Sequence, residues 1–120
     1  MMDFSFYTNK NDVDIIEISE ESYKKLADAG LDKIVDFKNI NINVEGDEYE
    51  INAAELTKEN RHLIISFIEA IRQKELVILF KNMDNNPTIK EIRDKFNYIK
   101  YLTEIYSKLT CEDNIYFSYD

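Results

Sequence analysis

With one cysteine, one histidine and no tryptophan, this 120-residue chain is short of the side chains on which enzymes and metal proteins are built. A lone cysteine, Cys111, cannot close an internal disulfide, so covalent stapling has no part in the fold. A Cys–His catalytic pair would have to join Cys111 to His62, and no signature residues surround either one. Zinc needs three or four His or Cys ligands, more than the chain owns. Two glycines and one proline leave little flexible linker, so one domain is expected over residues 1–120. They also leave no phosphate-cradling loop. The nearest segment, Glu45-Gly46-Asp47, is negatively charged and repels phosphate. Long apolar runs are missing too. The longest, 76–80, is far too short to span a bilayer. The first residues, Met1-Met2-Asp3-Phe4, show no basic segment leading into an apolar one, so no signal peptide and a cytoplasmic residence are expected.

Acids, by contrast, are plentiful. Twenty-four Asp and Glu stand against fifteen Lys and Arg, for a net charge of −9. Residues 1–60 hold 15 of the acids and only six lysines, whereas residues 61–120 hold nine acids and nine bases. Such a field repels nucleic acid and anionic membranes and attracts a basic protein. Eight Tyr and seven Phe supply a core that a disordered chain would lack. Seventeen Ile, twelve Asn and twelve Lys against three Arg and five Ala are residues of AT-rich codons, as in many bacteria, their phages and mobile elements.

The hydrophobic pattern predicts an α+β fold: a mixed, largely antiparallel sheet with about three helices packed on it. Strands are expected over 4–7, 13–18, 40–44, 48–52 and 115–119. Ser19 and Gly30 bracket a first helix, as N-cap and C′ residue. Gly46-Asp47 turns a hairpin. Asn52-Ala53-Ala54-Glu55 has the form of a capping box, and Thr57 offers a second cap. The following helix is expected to end near Lys74, because continuing it through 76–80 would throw Val77 and Phe80 off the stripe set by Ile64, Phe67, Ile68 and Ile71. A buried strand over 76–80 is the expectation instead. Asn86 and Pro87 are expected to open the last helix, with Ile89, Ile92, Phe96, Ile99, Leu102 and Tyr106 inward.

Carboxylates alone make no specific site among 24 acids. Aligning an EF-hand on Asn9 puts Asp14 at the obligatory glycine, and aligning one on Asp84 puts Lys95 at the bidentate position. The basic residues of the last helix, Lys90, Arg93, Lys95, Lys100 and Lys108, are offset by Glu91, Asp94 and Glu104, which disfavours nucleic-acid binding. No catalytic residue, metal or cofactor is expected.

Two surfaces remain. Glu45, Asp47, Glu48, Glu50, Glu55 and Glu59 face Lys58 alone over residues 45–59 and form a candidate docking face for a basic partner. Charged edge strands also serve simply to block aggregation. Tyr98, Tyr101 and Ile105 fall outside the predicted stripe of the last helix, and exposed Tyr is favoured at binding hot spots. In size, acidity and lack of catalytic groups the chain is similar to bacterial immunity proteins. That likeness is one of kind and covers no motif. It implies a cytoplasmic inhibitor that occludes a basic toxin, for example a nuclease. The alternatives are a phage-type nucleic-acid mimic, which the neutral C-terminal half disfavours, a small ligand-binding domain with a pocket near His62 or Cys111, and a regulatory adaptor working through Tyr98 and Tyr101.

Overall fold

Short-range chemistry builds the elements up to Val44 as the pattern predicts. A computed structural model describes residues 2–120. Alternating aromatics make β1 (Met2–Thr8), and the polar turn after it leads into β2 (Val13–Ile18). The Ser19 hydroxyl accepts from the Ser22 N–H and opens α1 (Glu20–Asp28), with Glu20 and Glu21 at the positive end of the helix dipole. Gly30 follows with φ 101°, the left-handed conformation a side chain would resist. A short 3-10 turn, Leu31–Lys33, then leads to β3 (Lys38–Val44) and β4 (Asp47–Glu55). Two long helices follow, α2 (Lys58–Met83) and α3 (Ile89–Thr110), and β5 (Asn114–Tyr119) ends the chain.

The five strands form an antiparallel sheet in the order β2-β1-β5-β4-β3. With three helices on it, this is the α+β architecture read from the sequence. Strand β5 lies between β1 and β4, pairing Phe6 with Phe117 and Phe117 with Ala54. Those residues, with Phe4, Ile16 and Ile18, point to the helix side, where Leu26, Ile64, Ile68, Leu102, Ile105 and Leu109 close the core. Phe4, Phe117, Tyr119 and Tyr23 pack as tilted and edge-on rings 5.6–6.4 Å apart. Such aromatic geometry adds to the stabilisation from burial alone. Among the described residues, no helix is long and apolar enough to cross a membrane.

Four expectations are corrected. Residues 52–55 do not cap a helix. They extend β4, because Ala53 and Ala54 are fully buried there and Ala54 pairs with Phe117. Thr57 is the cap, accepting from the Asn60 N–H. Residues 76–80 are not a strand. They continue α2, and the side chains that broke the stripe stay in the open: Val77 is 50% and Phe80 73% exposed. Asn86 does not cap α3. It adopts φ 50°, and Thr88 two residues later caps the helix by accepting from the Glu91 N–H. The buried face of α3 is also rotated from the expected one. Tyr98, Ile99, Leu102, Ile105 and Leu109 are inward, while Ile89 and Phe96 are exposed.

The β3–β4 turn is formed by Glu45 and Gly46, with φ values of 54° and 89°. Two positive φ angles match the right-handed twist of the flanking strands. Nothing lies within 4 Å of a Cβ added at Gly46, so Gly46→Ala meets backbone strain alone. It should cost about 1 kcal/mol in urea unfolding. Glu45→Asn should stabilise by about 0.5 kcal/mol, since Asn tolerates the left-handed region better than Glu.

Candidate docking surface

Register divides the β3–β4 hairpin into two unlike faces. Asn39 pairs with Asn52, Asn41 with Glu50, and Asn43 with Glu48. All six side chains point one way and all six residues are exposed, so this face is wholly polar. On the other face Ile40 pairs with Ile51 and Ile42 with Tyr49. Ile42 is buried although it lies outside the main core cluster. The sheet therefore curls: the Glu45 N–H donates to the Asn11 carbonyl at 3.2 Å, tying the hairpin turn to the β1–β2 turn. Between them lies an open groove of about 350 Å³, lined by Tyr7, Val13, Ile42, Val44, Tyr49 and Ile51, with Glu50 as its one charged residue. It sits on the helix-free side of the sheet, where Tyr7 pairs with Val13 and Tyr116.

The six acids of the candidate face are all exposed. Glu45 and Asp47 flank the hairpin tip, and Glu48 and Glu50 stand on its polar face. Glu55 ends β4, 4.0 Å from the Lys38 ammonium, in an ion pair too exposed to contribute much. Glu59 lies in the first turn of α2, where its charge suits the helix dipole. Among the described residues, Glu45, Asp47, Glu48, Glu50 and Glu59 have no ion-pair partner. Five of the six acids are therefore unneutralised: Glu45 and Asp47 at the hairpin tip, Glu48 and Glu50 on the hairpin face opposite the one that lines the groove, and Glu59 on α2.

The two tyrosines separate. Tyr98 is 2% exposed and belongs to the core, so it leaves the candidate surface. The Lys25 ammonium sits 4.9 Å from its ring centre. Burial, and then the Glu75 carboxylate, raise its hydroxyl pKa well above the ordinary 10.0. A raised folded-state pKa means a contribution that is intact below the unfolded value of 10.0 and lost as pH rises beyond it. Stability should therefore fall steeply above pH 10, and Tyr98→Phe should flatten that slope in urea titrations over the alkaline range. Tyr101 is half-buried beside Ser22, Lys25 and Asn97, remote from the acidic hairpin in sequence and in the sheet. Cys111 is free and exposed, and His62 is exposed on α2.

Arg61 carries a role the sequence did not reveal. Its guanidinium donates to the carbonyls of Leu109 (2.6 Å), Cys111 (3.0 Å), Leu56 (3.3 Å) and Asn114 (2.6 Å). It thus joins the end of β4, the end of α3 and the start of β5. Its partners lie up to 53 residues away, so no local signal marks it. The groove was equally hidden, because Tyr7 and Val13 meet Ile42 and Tyr49 only through the curl of the sheet. Comparison with family models, curated proteins and solved structures finds no match to this chain.

Proposed function

We propose that the chain is an acidic binding module that neutralises a basic protein, in the manner of an immunity protein occluding a bacterial toxin. The observation that carries this reading is the set of unpaired acids at the tip and on the polar face of the β3–β4 hairpin, whose other face lines an apolar groove. The acids would steer a basic partner into encounter, and the groove would hold one of its apolar or long-stemmed side chains. Nuclease toxins are basic where they grip phosphate, so a row of carboxylates and amides can occupy that site in phosphate's place. The wet face of Asn39, Asn41, Asn43, Glu48 and Glu50 offers such a row.

The immobilised chain should capture one basic protein from a lysate of its source at low salt, and less of it at high salt. Expressed alone, that protein should arrest growth, and co-expression of this chain should restore it. Capture of no protein at either salt, or of one whose activity the chain leaves intact, would sink the reading.

A further inference from the structure

Between Ile71 and Tyr98 the α2–α3 hairpin contributes no side chain to the main core cluster, its one buried apolar residue there being Leu79. It projects from the sheet and gives the molecule a long axis of 52 Å against 26 and 22 Å. Arg72 marks the seam between the helices, donating to the Thr103 hydroxyl and lying over the Tyr106 ring. Stepping outward from Arg72 by helical spacings of three and four residues passes Leu76, Phe80 and Met83. Stepping outward from Thr103 passes Phe96, Ile92 and Ile89. Both stripes border the same side of the seam and form one apolar strip. Phe80 is 73%, Ile89 76% and Phe96 55% exposed.

This strip leaves on the order of 500 Å² of apolar surface open, the upper part of the range that monomers carry. A stable homodimer buries about 800 Å² per partner, about two thirds of it apolar at its core, and so needs about the same. Charge selects the partner. Residues 74–100 hold six bases and four acids, a net +2, whereas the rest of the chain holds nine bases and 20 acids, a net −11. We infer that two copies of this chain pack antiparallel across the strip as a four-helix dimer. That arrangement sets the two acidic bodies at opposite ends and lays each basic tip toward its partner's acidic body. A parallel pair would juxtapose the two acidic bodies. An anionic bilayer would meet a weakly basic tip on a chain of net charge −9. The dimer leaves the acidic hairpin free, because Glu45 is tied through Asn11 to the β1–β2 turn. That turn is in turn tied by the Asn9 N–H to Asp113, at the far end of α3. It therefore stands or falls independently of the proposed function.

Sedimentation equilibrium on the full chain decides it. The wild type should run at twice its 14.3 kDa mass at micromolar concentration. Phe80→Glu and Phe96→Glu should each weaken the dimer at least ~30-fold with unchanged helical circular dichroism, as expected for truncating central anchors. Spin labels on the sole cysteine, the exposed Cys111, test the orientation without any substitution. Fifteen helical residues separate Phe96 from Cys111, so antiparallel packing about the strip puts two labels roughly 45 Å apart, and parallel packing puts them within about 30 Å. A monomer up to ~200 µM, at the weak end of specific association, would overturn the proposal. So would a dimer indifferent to both substitutions, or labels at the short distance. A monomer that binds vesicles of anionic phospholipid through Phe80 would also overturn it, in favour of a lipid surface.

Discussion

Replacing Arg61 by methionine should lower the unfolding free energy by about 4 kcal/mol, a large share of the 5–15 kcal/mol that holds an ordinary domain. Methionine keeps much of the stem and removes the charged fork. Each bond from a charged donor is worth about 1.5–3 kcal/mol, and four made by one group are not additive. Two of the carbonyls released, those of Leu109 and Cys111, belong to the last turn and cap of α3, which has no other side chain donating to them among the described residues. Lysine should recover only part of the loss, since a compact ammonium cannot reach carbonyls spread over three elements as a planar guanidinium does. The melting temperature of Arg61→Met should fall by more than about 10 °C, with Arg61→Lys between it and the wild type. A loss under about 1 kcal/mol, the yield of a single ordinary hydrogen bond, would show that the four contacts are not the joint described.

The parts of this fold legible in the sequence are those fixed within a few residues. Ser19, Gly30 and Thr57 act through neighbours no more than four positions away, and each sits where its chemistry demands. Thr88-x-x-Glu91 was an equally local signal, overshadowed by the more familiar Asn86-Pro87 pair. The errors arose where distant packing overrode local preference. Ala53 and Ala54 favour helix, yet sheet pairing with Lys38 and Phe117 holds them extended. The conflict seen at Val77 and Phe80 was real. The chain resolves it by leaving both exposed on a continuing helix instead of burying them in a strand. Helix α3 changes partner along its length, from the α2 arm to the sheet. One stripe projected over the whole helix therefore mistook Tyr98 for a surface residue. The acidic ridge was readable because exposed charge needs no partner to be recognised. The groove on the hairpin's other face was not, because its walls come from both ends of the sheet.

Reversing Glu48 and Glu50 to lysine should slow association with the basic partner by about 10- to 100-fold at low salt, with the rates converging as salt is raised. Dissociation should change far less, because steering acts on encounter before the contact is made. The two positions suit the test structurally. Their cross-strand neighbours are Asn43 and Asn41, so lysine there meets no like charge and the hairpin keeps its pairing. A matched control separates local from global charge. Glu20 and Glu21 are exposed in α1, and reversing them gives the same net charge, from −9 to −5, at two charges per substitution. If the ridge is the docking face, the hairpin variant slows and the α1 variant keeps most of its rate. Equal slowing of both would reduce the effect to net charge and remove the hairpin as a site. Wild-type rates in the hairpin variant would remove the ridge altogether. The groove would then be the only part of this surface left to bind, and Tyr49→Ala, acting on dissociation, would be the substitution that reports on it.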